Sequence, residues 1–393
     1  MQEHKKYGTI FAVFILIIFI VSFLVVLRAS NQTQFINEQD EQTSVTRDRI
    51  PSLDEEVVVS GLNHPWEIAF LPDNTMLYSQ REGVISLFRD GVATDLGVVP
   101  NVAAIGEGGL LGIAVDPRFE ENRYIYACYN TADDVRVSRW RVGDNLNGLT
   151  LRTELVTGIP TNDTGSPGRH SGCRLAFGSD EVLWVTTGDV ADGQNPQDPR
   201  SLAGKILRIN RDGAPVEGNL DEPFDGRIFS YGHRNVQGIA LFSEPKDDVF
   251  GVSIEHGPDV DDEVNLLRSG NFGWNPVPGY NERVPMTDTE TFPEAIAALW
   301  SSGSSTIAPS GATFITGSEW GSWDGALAVA VLKDQHIRVF KFDESLTTVT
   351  REQAILLESY GRIRAVTNGP DGALYFSTDN GSGQDQIVRL SPR

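Results

Sequence analysis

Three histidines stand in glycine-flanked segments: His170 in Gly168-Arg-His-Ser-Gly172, His233 in Gly232-His-Arg-Asn235, and His256 in Glu255-His-Gly-Pro258. Imidazole titrates near neutral pH, so it can take or give a proton during a reaction. One loop histidine is ordinarily a solvated or hydrogen-bonded ring. Three in segments of like character suggest a shared site, with His170 as the candidate base. Arg234 and Asn235 follow His233 directly. In Arg362-Ile-Arg364 the alternation of a strand puts both guanidiniums on one face. Such a pair calls for an anion, either a protein carboxylate or a ligand carboxylate held bidentately. Arg174 is a further candidate, although a salt bridge along a strand is its ordinary role. The acidic loop Gly257-Pro-Asp-Val-Asp-Asp-Glu263 offers carboxylates and carbonyls of the kind Ca²⁺ takes. It lacks EF-hand spacing and is equally readable as a solvated acidic turn.

Residues so far apart need a frame that gathers loops. The chain supplies one by repetition. Ile68-Ala-Phe-Leu-Pro-Asp-Asn leads into Met76-Leu-Tyr, Ile113-Ala-Val-Asp-Pro into Tyr124-Ile-Tyr, and Leu175-Ala-Phe-Gly-Ser-Asp into Val182-Leu-Trp-Val. Ile239-Ala-Leu-Phe-Ser-Glu leads into Val249-Phe-Gly-Val, Thr313-Phe-Ile precedes Ala326-Leu-Ala-Val, and Ala365-Val-Thr precedes Leu374-Tyr-Phe. An apolar strand, a turn and a second strand recurring at such intervals predict the blades of an all-β, six-bladed propeller. Val57-Val-Val-Ser60, ahead of the first repeat, is expected to complete the last blade and close the ring, which removes sheet edges. The connections 189–203 and 270–305 carry little regular pattern but contain aromatic residues, so they are expected to be functional loops.

The 393 residues begin with a short tail, 1–7, containing Lys5 and Lys6. An apolar run at 8–28 follows, long enough to span a bilayer as a helix. It is expected to act as an uncleaved signal anchor with the remainder exported, a cleaved signal peptide being the alternative. Residues 29–55 read as a flexible polar stalk, and 56–393 as the propeller. The net charge of −22 argues against a nucleic-acid partner, which needs a basic face. Cys128 and Cys173 lack metal-site spacing. They are expected to be buried thiols, with a disulfide left open by the exported location.

An ordered set of motifs spans about residues 56–393. It comprises Gly106-Glu-Gly-Gly-Leu-Leu-Gly-Ile-Ala, His170-Ser-Gly-Cys-Arg-Leu, Gly188-Asp189, Gly204-Lys-Ile-Leu-Arg-Ile, Gly232-His-Arg-Asn-Val-Gln-Gly, Glu255-His-Gly-Pro, Asp262-Glu-Val-Asn, Asn271-Phe-Gly-Trp, Ala308-Pro-Ser-Gly and Arg362-Ile-Arg. It resembles the glucose/sorbosone dehydrogenase family, propellers that use pyrroloquinoline quinone (PQQ) and calcium. The resemblance implies oxidation of an aldose sugar at C1 to its lactone, outside the cytoplasmic membrane, with electrons passed to an external acceptor. It implies that His170 is the base and that Asp189 lies near the substrate. Glu107, Arg234, Asn235, His256, Arg362 and Arg364 would surround the quinone. The carbonyls of Gly257 and Pro258 would bind calcium, and Glu263 would hold a second, structural calcium. Three positions depart from the family pattern. Glu319 stands about where a lysine should meet the cofactor carboxylate, Glu107 replaces a glutamine, and Arg169 precedes the histidine where some members carry aspartate. The alternative implied by Glu319 is a surface propeller that binds without catalysing. A calcium-dependent hydrolase is a third reading, which the cationic character of the loops disfavours.

Overall fold

The computed structural model describes residues 50–162 and 168–393. The expected tail and anchor lie outside the described residues, as does most of the stalk. Among the described residues no helix is long and apolar enough to cross a membrane. Residues 52–317 and 325–393 form the propeller.

A first strand, β1 (Leu53–Leu62), precedes blade one, which is the meander β2 (Pro65–Phe70), β3 (Met76–Gln80), β4 (Val84–Arg89) and β5 (Val92–Val98). Blade two is β6 (Leu110–Val115), β7 (Tyr124–Asn130), β8 (Val135–Val142) and β9 (Leu149–Ile159), with a one-turn helix α1 (Phe119–Asn122) in its first hairpin. Blade three is β10 (Gly172–Phe177), β11 (Leu183–Thr187), β12 (Lys205–Ile209) and β13 (Ile228–Tyr231). Blade four takes β14 (Val236–Lys246), β15 (Val249–Glu255) and β16 (Glu263–Leu266). The short β17 (Gly270–Asn271) turns back parallel to β13, and β18 (Trp300–Ser301) finishes blade four. Blade five is β19 (Pro309–Phe314), β20 (Leu327–Val331), β21 (His336–Phe342) and β22 (Val349–Ile355). Blade six is β23 (Ile363–Asn368), β24 (Leu374–Thr378) and β25 (Asp385–Pro392), completed by β1.

Each of the six repeated phrases is the inner hairpin of one blade. The innermost strands β2, β6, β10, β14, β19 and β23 each pack on the next, and β23 returns to β2. This end of each wedge is narrow. A Cβ on Gly112 would meet the Cys173 carbonyl oxygen at 2.4 Å, and one on Gly238 would meet that of Ser310 at 2.2 Å, so only glycine fits. Further out the strands alternate as half-buried strands should. In β8, Val135, Val137 and Val142 are buried, while Arg136, Arg139 and Arg141 turn outward to Asp134, Asp212 and Asp144. Ring closure is as expected, with Val57 opposite Val388 and Leu53 opposite Pro392 in an antiparallel ladder.

One expectation is corrected. Cys128 and Cys173 form a disulfide, S–S 1.97 Å, between β7 of blade two and β10 of blade three. Both cysteines are fully buried, as expected. Packing of neighbouring blades brings together two strand positions that are distant in sequence, which is why spacing alone gave no pairing signal.

Candidate active site

His170 sits in the turn that leads into β10, with φ of 53°. Its carbonyl packs where a Cβ on Gly188 would lie, so the histidine turn and the end of β11 approach through a glycine. Asp189 follows that glycine, and its backbone N–H donates to the Arg234 carbonyl at 2.7 Å. The side chains meet here: His170 Nδ1 and Asp189 Oδ1 are 2.7 Å apart.

Asp189 is completely buried. Oδ1 also accepts from the Ala191 N–H at 2.8 Å, and Oδ2 accepts from Trp274 Nε1 and the Tyr280 hydroxyl, both at 2.8 Å. Burial alone would raise its pKa, but attraction to His170, hydrogen bonds and the Arg234 charge together hold it below the usual carboxylate range. An ionised carboxylate is acceptor-only, so Nδ1 of His170 must carry the hydrogen and Nε2 is the basic nitrogen. Asp189 has no exposed surface, and the expected site residue it touches is His170.

The second half of the site is cationic. Arg234, nearly buried, donates through Nη1 to the His256 carbonyl at 3.1 Å and through Nη2 to Glu282 Oε1 at 2.6 Å. Its Nε is buried and finds no acceptor among the described residues. Arg364 pairs with Asp379 and donates to Gln237 Oε1 at 3.1 Å. Arg362 is exposed and has no carboxylate within ion-pair distance among the described residues. His256 is held neutral, its pKa pushed down to about 3 by burial and by the charges of Arg234 and Arg364, with Glu107 opposing them. The same influences show that Glu107, Arg234, His256 and Arg364 share one electrostatic environment. Glu107 is also exposed and accepts from the His170 N–H at 3.1 Å.

The sequence-predicted residues fall into three groups. His170, Asp189, Glu107, Arg234, Asn235, His256 and Arg364 join one network. Asn235 Oδ1 accepts from Gly172 N and Gln237 Nε2, while His256 donates its N–H to the Asn235 carbonyl and pairs its ring with the Pro309 carbonyl. Gly257 adjoins them, its N–H held by Asp262, whose other oxygen accepts from Ile307 and Ala308. The carbonyls of Gly257 and Pro258 engage no donor among the described residues. Glu263 lies deeper, bonded to Asn265, with its pKa raised well above the usual range by burial and by Glu255. No cluster of three or more His, Cys, Asp or Glu side chains suited to a metal occurs among the described residues. Arg174 takes its ordinary role. It pairs with buried Glu67 of blade one, donates to Gln237 O of blade four and stacks 3.9 Å over Trp66, bracing the hub. His233 is likewise structural, closed between Ser230 and Glu255.

Several contributors were not among the expected site residues. Trp274, which ends the Asn271-Phe-Gly-Trp motif, comes with Tyr280 and Glu282 from the irregular 270–305 connection. Lys205 is wholly buried, its Nζ donating to the carbonyls of Asn195, Pro196 and Ala203. The ammonium thus gathers the loop that begins at Asp189, and burial lowers its pKa to about 7. Lys333 donates to Thr306 Oγ1 at 2.8 Å, just before the Ile307–Ala308 turn that holds Asp262. Glu319 is exposed in a short 3-10 turn, Ser318–Trp323.

The donor set fits an anionic, carboxylate-bearing ligand, because the buried Arg234 Nε awaits an acceptor and Arg362 and Lys333 lack carboxylate partners among the described residues. The unengaged Gly257 and Pro258 carbonyls suit a hard cation, although two oxygens alone are too few for calcium. Comparison with known proteins agrees. The glucose/sorbosone dehydrogenase family profile matches residues 62–389. An aldose sugar dehydrogenase of Escherichia coli is 32% identical over 359 residues, covering 86% of this chain and 92% of its own. Quinoprotein glucose dehydrogenase B of Acinetobacter calcoaceticus is 26% identical over 420 residues, covering 84% and 86%. The PQQ-bound aldose sugar dehydrogenase of Streptomyces coelicolor superposes with a TM-score of 0.71 at 32% identity, covering 87% of this chain and all of that one.

Proposed function

This chain belongs to the glucose/sorbosone dehydrogenase family, and from that membership we propose that it is a PQQ- and calcium-dependent aldose dehydrogenase. It oxidises a sugar at C1 to the lactone and passes the electrons to an external acceptor. The observation that carries the proposal is the His170–Asp189 pair at 2.7 Å beside Arg234. The quinone, when bound, supplies the hydride acceptor, and the calcium ion polarises it.

The chain's own groups do the rest. His170 Nε2 takes the proton of the anomeric hydroxyl as the C1 hydride leaves, and Asp189 fixes the tautomer and stabilises the imidazolium that results. Arg169 Nε stands 3.3 Å from that nitrogen, so it must yield as the sugar enters. Arg234, Arg362 and Arg364 bind anionic oxygens of the cofactor, and Gln237, itself bonded to Asn235, orients Arg364. Lys333 takes the carboxylate role for which the sequence offered only Glu319. Neutral His256 lines the same pocket, and the Gly257 and Pro258 carbonyls hold the calcium. The protein works outside the cytoplasm, tethered by residues 8–28. The Cys128–Cys173 bridge supports an oxidising compartment.

The test adds PQQ and Ca²⁺ to the full chain and follows dye reduction by aldoses. Activity is expected, and His170→Ala should abolish it without moving the unfolding midpoint by more than a few degrees. A folded sample that neither shifts the quinone absorbance nor reduces dye overturns the proposal.

A further inference from the structure

Glu282 belongs to no motif, yet it sits at the centre of the cationic half of the site. One of its oxygens, Oε1, accepts from Arg234 Nη2 at 2.6 Å and from Arg169 Nη2 at 2.7 Å. Oε2 accepts nothing among the described residues. Both arginines are therefore held through a single oxygen, whereas the guanidinium fork favours two parallel bonds to a carboxylate. The unmet capacity is visible at Arg234, whose Nε is buried without an acceptor. The two arginines together keep the Glu282 carboxyl below its usual pKa despite partial burial, so it is an anion.

The segment that carries Glu282 also reaches the proton-transfer pair. Tyr280, two residues earlier, donates its hydroxyl to Asp189 Oδ2 at 2.8 Å, stands 3.1 Å from His170 Nδ1, and stacks under Arg169 at 5.5 Å. Trp274 bonds Asp189 from the same connection and lies 5.8 Å from the Arg234 guanidinium. Residues 274–282 thus form a strap. Trp274 and Tyr280 pin it to Asp189, and an ion pair pins its last residue to Arg234.

We propose that Glu282 is an affinity-determining residue that competes with the cofactor for Arg234. A ligand carboxylate or quinone oxygen arriving at Arg234 displaces Glu282 and satisfies Nε as well as Nη2. Glu282 then stays with Arg169 and draws that guanidinium away from His170 Nε2. The Glu282 tip of the strap moves, while the part held by Trp274 and Tyr280 stays on Asp189. This rests on the PQQ-dependent reading above, and the charge of Glu282 lowers cofactor affinity in exchange for a closed, paired site.

The test compares wild type with Glu282→Gln, which keeps the shape and removes the charge. PQQ is titrated into the full chain in excess Ca²⁺, with tryptophan quenching and quinone absorbance as readouts. The variant should bind about tenfold more tightly, the size of one charge-assisted hydrogen bond. Without PQQ, trypsin should cut after exposed Arg283 faster in the variant, by about the same factor, because the strap has lost its ionic pin. PQQ binding to wild type with equal or weaker affinity in the variant overturns the competition and leaves the oxidoreductase reading standing. No PQQ binding by either protein overturns both. Unchanged cleavage after Arg283 removes the strap from the proposal even if the affinities differ.

Discussion

Replacing Asp189 by asparagine tests the proton-transfer arrangement most directly. The carboxylate receives four hydrogen bonds: two at Oδ1, from His170 Nδ1 and the Ala191 amide, and two at Oδ2, from Trp274 Nε1 and Tyr280. An amide has one acceptor oxygen and one NH₂. If the NH₂ faces His170, Nδ1 must become an acceptor, the ring proton moves to Nε2, and the base is lost. The Ala191 N–H is then also left facing a donor. If the NH₂ faces the other way, Tyr280 can rotate to accept but the Trp274 N–H cannot. Each orientation leaves one buried N–H unsatisfied, which costs about 1–3 kcal/mol of stability. Where the ring flips, kcat should fall by about 10² to 10⁴, or ~3–5 kcal/mol in the barrier. KM and quinone affinity should hardly move, because Asp189 is fully buried behind His170. Dye-linked turnover at saturating PQQ, sugar titrations and urea unfolding separate the three quantities. An Asp189→Asn enzyme whose kcat stays within about threefold of wild type would refute the idea that this carboxylate sets the His170 tautomer.

Two further predictions concern the frame. The disulfide joins positions separated by 45 residues, for which the chain-entropy estimate is about 4 kcal/mol at 25 °C. Reduction, or a Cys128→Ala/Cys173→Ala variant, should lower the urea midpoint accordingly; indistinguishable melts with and without reductant would contradict this. His64 meets Asp379 at 2.6 Å, and the pairing raises the histidine pKa above its ordinary value. That stabilisation is complete below the unfolded pKa of about 6.5 and fades as pH rises through the folded value. Asp379 is shifted downward, so its own contribution persists until strongly acid pH. The stability gap between wild type and His64→Gln should therefore be largest below the unfolded pKa, at about 1 kcal/mol, and shrink as pH rises through the raised folded value. A gap that widens with pH would be the wrong sign.

The blades were readable because each inner hairpin writes the same local pattern, from Ile68 to Leu374. Ring closure was readable from a single orphan strand at Val57. His170, Asp189 and the arginines were legible as motif residues, since their neighbours fix turns through glycine. Their division of labour was not. That Asp189 faces inward depends on Trp274 and Tyr280, which arrive from a connection without periodicity. Glu282 is an ordinary charged residue in sequence, and the motif around Lys205 does not say what its ammonium holds; only the guanidiniums and carbonyls beside them give them meaning. The cysteine pairing was missed for a related reason. Contacts between blades obey three-dimensional adjacency, which no spacing rule within one blade records.

The ladder between β1 and β25 has a consequence for biosynthesis. The last blade cannot be assembled until its C-terminal strand exists, because Leu53–Leu62 has no other partner to wait beside. A chain emerging residue by residue therefore carries an unfinished sixth blade until β25 has been made. A stop codon just ahead of Asp385 would leave both neighbouring strands of that blade with bare amides, ready to recruit another molecule. Once complete, the seam brings the ends of the propeller's closing ladder together, Arg393 N–H bonding to Ser52 O at 2.8 Å. A propeller joined there and opened in an exposed turn of another blade would keep all six sheets.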